Sequence, residues 1–440
     1  MRRTRILAAV GAAALIMGAT AACGNSDDTS GANSSGNTGN SSAGTSGGEA
    51  TEAEVFTWWT TGSEALGLQA LEGVFNTQYP DITFINGGTA GGGGSAKDVL
   101  ISRLAASDPP DSFQAHAGAE MLDYINSGQV DDLSGLYDEF GLTEAFPQDL
   151  LDLVTKDGAK YSIPSNVHRA NVMWASAKVL QDTGIDPTKI TYASYSDFFA
   201  DLDKIKAANP DITPLAIGGT WTQVHLLETV LIAELGAPAY NGLWDGSTDP
   251  AGAEVSKALA TFEKALSYTN TDSEGEEWDF ATQKLIDGTA AFSIMGDWVP
   301  AQFDEQGKVM GTDWLWAPSP GTDGVYDFLA DSFTLPKGAP HPEGAKAWLS
   351  VIASVDGQAA FNKVKGSIPA RTDVPLDDFS EYQKLAADAY AADTIVGSLQ
   401  HGAAASIAQG AATNEAVGKF RSGASDLAQF QTEFAAAIAK

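Results

Sequence analysis

Short apolar strands that run through a glycine-marked turn into a helical pattern recur along this chain, and that alternation commits it to an α/β fold. The first instance is residues 55–64, VFTWWTTGSE. Val55, Phe56 and Thr57 read as a strand, two tryptophans follow, and Gly62-Ser63 turns into a helix beginning near Glu64. In open α/β sheets, ligands bind where strands end and helices begin. If the strand continued, Trp58 and Trp59 would face opposite ways, so at most one could be ordinary core. An aromatic face beside the Glu64 carboxylate suits a sugar, whose C–H faces stack on a ring and whose hydroxyls bond an acid. Two structural aromatics at a strand end are the competing reading on this stretch alone.

The chain opens with MRRTRILAAVGAAALIMGATAAC. Three arginines, an apolar run from Ile6 to Met17 and small residues up to Cys23 have the layout of an export signal, with a run too short for a stable span. Cys23 is the only cysteine of the 440 residues, so no disulfide can form within the chain. Its setting after Ala21-Ala22 resembles a bacterial lipobox, in which the cysteine is diacylated and becomes the mature N-terminus. Thr20 departs from that pattern, which favours leucine there. From Gly24 to Glu52 the composition turns to Gly, Ser, Asn and Thr. Such a segment buries too little to offset its ordering entropy and reads as a tether with a reach of about 30 Å.

A formal net charge of −32 argues against nucleic-acid partners and against binding anionic lipid through the body's own surface. Residues 53–440 exceed one normal core, so two domains are expected.

Within that body, residues 66–78 have helical apolar spacing, closed by Tyr79-Pro80, and residues 82–85 form a second strand. The following run GGTAGGGG, residues 87–94, lacks the GK[ST] of a phosphate loop, which leaves glycines that let backbone approach a ligand. Ser95 has the character of the next helix cap. In residues 112–118 a short strand sends Gln114 and His116 to one face beside glycine, the look of a ligand wall. Residues 165–174, SNVHRANVMW, come where a first lobe should be complete, and residues 166–172 read as a crossover. New αβ material follows: GGTWTQVH at 218–225, an apolar helix over 226–235, Trp278, and GTAAFSIMGDW at 288–298. The bend APSPGTDG at 317–324 suits a second crossing, and residues 325–332 read as a strand ending on Asp331 and Ser332. Lys365 precedes a third crossing at 366–371. Helices over 382–394 and 414–439 close the chain, separated by SLQHGA at 398–403.

The G-x-A-A-F-x-x-x-G-x-W run resembles the hallmark of the extracellular solute-binding proteins of ABC sugar importers. Together with WW…E, DPPDSFQAHAG, SNVHRANVMW, WAPSPGTDGV, LADSFTLPKGA, KGSIPAR and SLQHGAA, it is similar to the glucose-binding branch of that family. The resemblance covers residues 53–440. It implies an α/β, two-lobed type II periplasmic-binding-protein fold with three interlobe crossover segments. The expected division is a signal peptide at 1–22, lipidated Cys23 and tether at 23–52, lobe one at 53–166 plus 325–368, and lobe two at 167–324 plus 369–440.

Metal, thiol and hydrolytic chemistry find no support: the five histidines lack H-x-x-x-H or H-E-x-x-H spacing, and no G-x-S-x-G elbow stands out. An anchored glycoside hydrolase remains the competing enzyme class, because carboxylates are common among 57 acids. A signalling or adhesion lipoprotein without a transport role is a third class. By the resemblance, the sugar site comprises Trp58, Trp59, Glu64, Gln114 and His116, with Trp278 and Trp298 facing them from lobe two. Asp331, Lys365 and His401 complete its polar ring. Trp221 and His168 are expected to stand behind it, and Trp244, Trp314, Trp316 and Trp348 in core or surface. The expectation is thus a non-enzymatic importer component without a cofactor. It is extracytoplasmic, monomeric and lipid-anchored to the cell membrane. It binds a monosaccharide, with glucose first and an oligosaccharide as the alternative, and delivers it to ABC permease subunits.

Overall fold

A computed structural model describes residues 51–89 and 94–439. The export segment, Cys23, the tether as far as residue 50 and positions 90–93 of the glycine run lie outside the described residues. Among the described residues the strands form a five-stranded, a four-stranded and a three-stranded sheet, with one two-stranded hairpin.

The first sheet runs Thr83–Asn86, Glu52–Phe56, Ser112–His116, Asp331–Thr334, Ile163–Pro164. Its first three strands are parallel, as strand–helix–strand connections require, and the last two are antiparallel additions. Val55, Leu68, Leu71, Phe75, Phe113, Phe333 and Trp348 meet in the core of this lobe. The second sheet runs Trp314–Pro318, Val172–Ser176, Ala290–Met295, Thr213–Ala216. Its core gathers Phe198, Leu202, Leu227, Leu231, Phe262, Phe430 and Phe434.

Between the two lies the third sheet, Thr394–Gly397, Val325–Leu329, His168–Arg169. The chain leaves the first sheet after Pro164, pairs briefly through His168 and Arg169, and enters the second at Val172. Returning, it pairs Val325–Leu329 with that same segment and rejoins the first sheet at Asp331. The expected single strand over 325–332 is therefore two strands in two sheets, broken at Ala330. A third segment lies alongside, since Val167 and Ile368 exchange backbone hydrogen bonds of 2.8 and 3.1 Å. Asn171 cross-links the first two crossings. Its Nδ2 donates to Thr322 Oγ1 and the Val325 carbonyl, and its Oδ1 accepts from the Asp327 amide.

Helix boundaries follow local chemistry. Ser95 is the first helical residue rather than the cap, which is Gly94. The expected closing helix over 414–439 is two helices, Ile407–Arg421 and Leu427–Ile438, because Asp426 and Gln429 form a capping box that starts the second. The apolar helix read over 226–235 extends across Thr220–Asp245, with non-helical backbone at Gly236 just before Pro238. No helix of the described residues is long and apolar enough to cross a membrane.

Candidate functional site

Where the ends of the first and second sheets meet, a cavity of about 360 Å³, counting the space at its mouth, is lined by Trp58, Glu64, His116, His168, Trp221, Trp278, Trp298, Leu329, Asp331, Lys365 and His401. Each wall is set by an element end.

On the first lobe, Thr57 Oγ1 donates to Gln114 Oε1 at 2.5 Å, and the Trp59 amide donates to Thr57 Oγ1 at 3.1 Å. This pins the turn that carries both tryptophans. The Trp58 ring lies 5.0 Å from the His116 ring and takes the Lys97 ammonium at 5.7 Å. Glu64 stands in the first turn of the helix Gly62–Gln78. Lys365 ends the helix Val355–Lys365 and donates to Glu64 Oε1 at 3.0 Å, with its ammonium 5.3 Å from the Trp298 ring. Burial pushes the Glu64 carboxyl up against the pull of Lys365.

Asp331 is paired opposite His116 in the sheet register. Its Oδ1 accepts from Gln114 Nε2 at 2.7 Å and its Oδ2 from Asn166 Nδ2 at 2.8 Å, while Asn166 Oδ1 accepts from the Asp331 amide. Burial alone would raise this carboxyl. His116, Lys365, His168 and the Asn166 bond outweigh it and hold Asp331 below the usual carboxylate range. It is therefore an ionised acceptor, rigid on two sides and with lone pairs to spare. His116 is oriented by Glu120, 2.8 Å from its Nδ1. Glu120 resists its own burial because Lys97 and His116 draw it down to about 2.

The second lobe supplies the aromatic wall. Trp278 opens the helix Trp278–Ile286, and Trp298 directly precedes the helix Val299–Glu305. The Trp298 ring lies edge-on to His168 at 5.2 Å, His401 at 5.4 Å and Trp278 at 6.5 Å. It also packs against Gly296, where an added Cβ would come 2.1 Å from the indole. That contact explains why a glycine precedes the tryptophan in this motif. His168 bonds Asp297 through Nδ1 and brings Nε2 to 3.8 Å from Asp331 Oδ2, and its Nε2 and the Trp298 Nε1 are buried without a hydrogen-bond partner among the described residues. His401 Nδ1 lies 2.9 Å from Ser398 Oγ. Burial, then the neighbouring His225 and His116, hold His401 well below the ordinary histidine range, so its ring is neutral at pH 7.

Two of the expected site residues are not on the wall. Trp59 stacks on Phe361 at 4.7 Å and meets Phe333 edge-on at 5.5 Å, which makes it core of the first lobe. The strand ends at Phe56, so the turn at Thr57 sends only Trp58 to the cavity. Gln114 lies beneath the wall and acts through Asp331 and Thr57. Conversely, His168 and Trp221, expected to stand behind, both line the cavity, as does Leu329, an apolar strand residue with no signal in the sequence.

Behind His401 lies a buried polar group centred on Glu228. Its carboxylate accepts from Ser398 Oγ and from the Gln400 amide at 2.8 Å. His225, Glu228 and His401 bring one donor atom each within 4.8 Å of one another, a set that could hold a metal ion. Glu228 is already committed to the 398–401 loop, so the trio as built fixes that loop. Burial lowers His225 to about 4 and raises Glu228 to about 7. Asp327 is pushed well above its usual range, by burial and then by Glu228. Glu228, a glutamate within the apolar 226–235 run, is the member of this group that the sequence reading passed over.

The arrangement offers flat aromatic faces, ionised and neutral acceptors and an ammonium donor around a small space. The Ser398 hydroxyl beside His401 is buried behind the wall and donates to Glu228, so it does not face the cavity. The chain matches the bacterial extracellular solute-binding protein family over residues 59–359. It is 36% identical over 339 residues to an uncharacterized ABC transporter extracellular-binding protein of Pyrococcus horikoshii, covering 76% of this chain and 75% of the relative. It is 33% identical over 385 residues to a probable sugar-binding periplasmic protein of Mesorhizobium japonicum, covering 84% and 89%. The solved structure of a chitin oligosaccharide binding protein superposes with a TM-score of 0.77 at 20% identity, over 89% of this chain and 99% of that one, a likeness of fold.

Proposed function

The chain belongs to the bacterial extracellular solute-binding protein family, whose members are binding components of transporters rather than enzymes, and we propose that it captures glucose outside the cell for an ABC importer. The observation that carries this reading is the lining of one small interlobe cavity by Trp58, Trp278 and Trp298 together with Glu64, Asp331, Lys365 and three histidines. A sugar hydroxyl taken out of water must regain each lost hydrogen bond, since an unpaired buried polar group costs about 1–3 kcal/mol. Glucopyranose carries its hydroxyls around the ring edge and C–H surfaces on both faces, which suits a polar ring between aromatic walls.

Binding and delivery follow from the crossings. Glu64, His116, Asp331 and Lys365 stand on the first lobe, and Trp278, Trp298 and His401 face them. A ligand that touches both sets favours the closed form, with the three hydrogen-bonded crossings absorbing the rotation. The closed shape is what the permease would read. Cys23, diacylated, would hold the protein to the membrane by its tether.

A thermal-shift screen of unlabelled sugars tests the proposal. Glucose at about a hundred times its dissociation constant should add ~2.7 kcal/mol of stability. A screen in which no hexose shifts the melting point while some other solute class does would overturn it.

A further inference from the structure

We propose that Ser398 and Glu228 are positioning residues that fix His401 as a hydrogen-bond acceptor, so that the cavity requires a hydroxyl donor of its ligand at that wall. The identity of the donor rests on the sugar-binding reading of the cavity, whereas the state of His401 can be read with no ligand present.

An imidazole with one ring proton donates from one nitrogen and accepts at the other, and the partner of the first decides which is which. His401 lines the cavity with its Nδ1 turned back onto Ser398 Oγ at 2.9 Å, which leaves Nε2 for a ligand. A serine hydroxyl has one proton and two lone pairs, and the surroundings of Ser398 assign all three. The Glu228 carboxylate oxygens lie 3.1 and 2.9 Å from Oγ and take the proton, the charge-assisted choice. The His401 backbone amide donates to Oγ at 3.2 Å and takes one lone pair. The second lone pair is left to Nδ1, which therefore carries the ring proton. The ring is neutral, so Nε2 is bare.

Glu228 is held for this role from both sides. It stands on the long helix Thr220–Asp245, buried together with Ser398. The Gln400 amide donates to its Oε2 at 2.8 Å, which keeps that oxygen an acceptor. His225 has Nε2 on the Ala170 carbonyl at 2.9 Å, so its proton is spent there, and its bare Nδ1 sits 3.5 Å from Glu228 Oε1. Asp331 also accepts from a ligand, but it is held by Gln114 and Asn166 and not by this chain of bonds. Changes at Ser398 therefore separate the two acceptors.

Nitrogen NMR of the full-length protein labelled at histidine tests the relay, with His401 assigned by the signals lost in His401→Gln. The expected spectrum of the free protein has the His401 proton on Nδ1. Ser398→Ala should give a mixture of tautomers, and Ser398→Thr, which keeps the hydroxyl, should restore the single one. Calorimetry with glucose and its monodeoxy and monodeoxyfluoro derivatives tests the consequence, because fluorine cannot donate. At one hydroxyl, both derivatives should bind the parent at least about tenfold more weakly than glucose, equal to about 1.4 kcal/mol. That penalty should shrink to within about threefold in Ser398→Ala and return in Ser398→Thr. A proton on Nε2, or a Ser398→Ala spectrum identical to the parent's, overturns the relay whatever the protein binds. Penalties that Ser398→Ala leaves unchanged at every hydroxyl overturn the acceptor role of His401. The expected tautomer in a protein that binds no sugar supports the relay and overturns the glucose reading alone.

Discussion

Asp331 already accepts from Gln114 and Asn166, so its position does not depend on a ligand, and an ionised acceptor held in place is worth more to a hydroxyl than a mobile one. Asp331→Ala should therefore cost about 2–4 kcal/mol of glucose binding, read by calorimetry; affinity within twofold of the parent would remove Asp331 from the contact shell. The neighbouring tryptophans should separate. Trp58→Ala should weaken binding with little loss of stability, whereas Trp59→Ala, which empties the space between Phe333 and Phe361, should cost about 3–5 kcal/mol in denaturant unfolding. That split was beyond the sequence. Adjacent tryptophans, a polar pair on a strand and a glycine before Trp298 mark a site, but which member faces inward depends on where a strand stops, and tertiary pairing decides that. Glu228 gives a pH test. Its folded value near 7 lies above its ordinary 4.5, because it is buried. Its contribution is thus fully present below about pH 4.5 and lost as pH rises through its raised folded value. His225, lowered to about 4, runs the opposite way, losing its contribution as pH falls from 6.5 to about 4. Glu228→Gln removes this buried acid and relaxes Asp327, which Glu228 also pushes up, so the variant should gain stability relative to the parent as pH rises from 4.5 to 7.5. A difference that stays constant across that range would contradict the buried-acid account.

At the scale of elements, the most consequential finding is that residues 325–334 serve two sheets, with Val325–Leu329 pairing the first crossing and Asp331–Thr334 pairing Ser112–His116. A sequence pattern sees one continuous strand there, since the switch at Ala330 is a matter of partners rather than of propensity. The strand–helix alternation of the first lobe was legible because its local period and its tertiary role agree. The capping boxes at Ser406 and Asp426 were equally present in the sequence, yet the reading of one helix over 414–439 begins after the first and runs across the second. Gly296 couples strand end to helix start. Gly296→Ala should push the Trp298 ring off its seat, because the new Cβ would sit 2.1 Å from the indole. Glucose affinity should then fall at least about tenfold, or about 1.4 kcal/mol. Parent-like affinity in a folded Gly296→Ala protein would mean that Trp298 does not form the sugar wall.

At the scale of the molecule, a net charge of −32 argues against attraction to anionic lipid, so Cys23→Ala should move the protein from the membrane fraction to the medium; retention on the membrane would point to another anchor. The central claim is that two lobes joined by three paired crossings close on a sugar held by both. Small-angle X-ray scattering of the protein with and without saturating glucose measures this most directly. The account predicts a smaller radius of gyration with glucose, and no change in the Trp298→Ala, His401→Ala double variant. A parent protein whose scattering curve is identical at saturating glucose, with binding confirmed in the same sample, would contradict it.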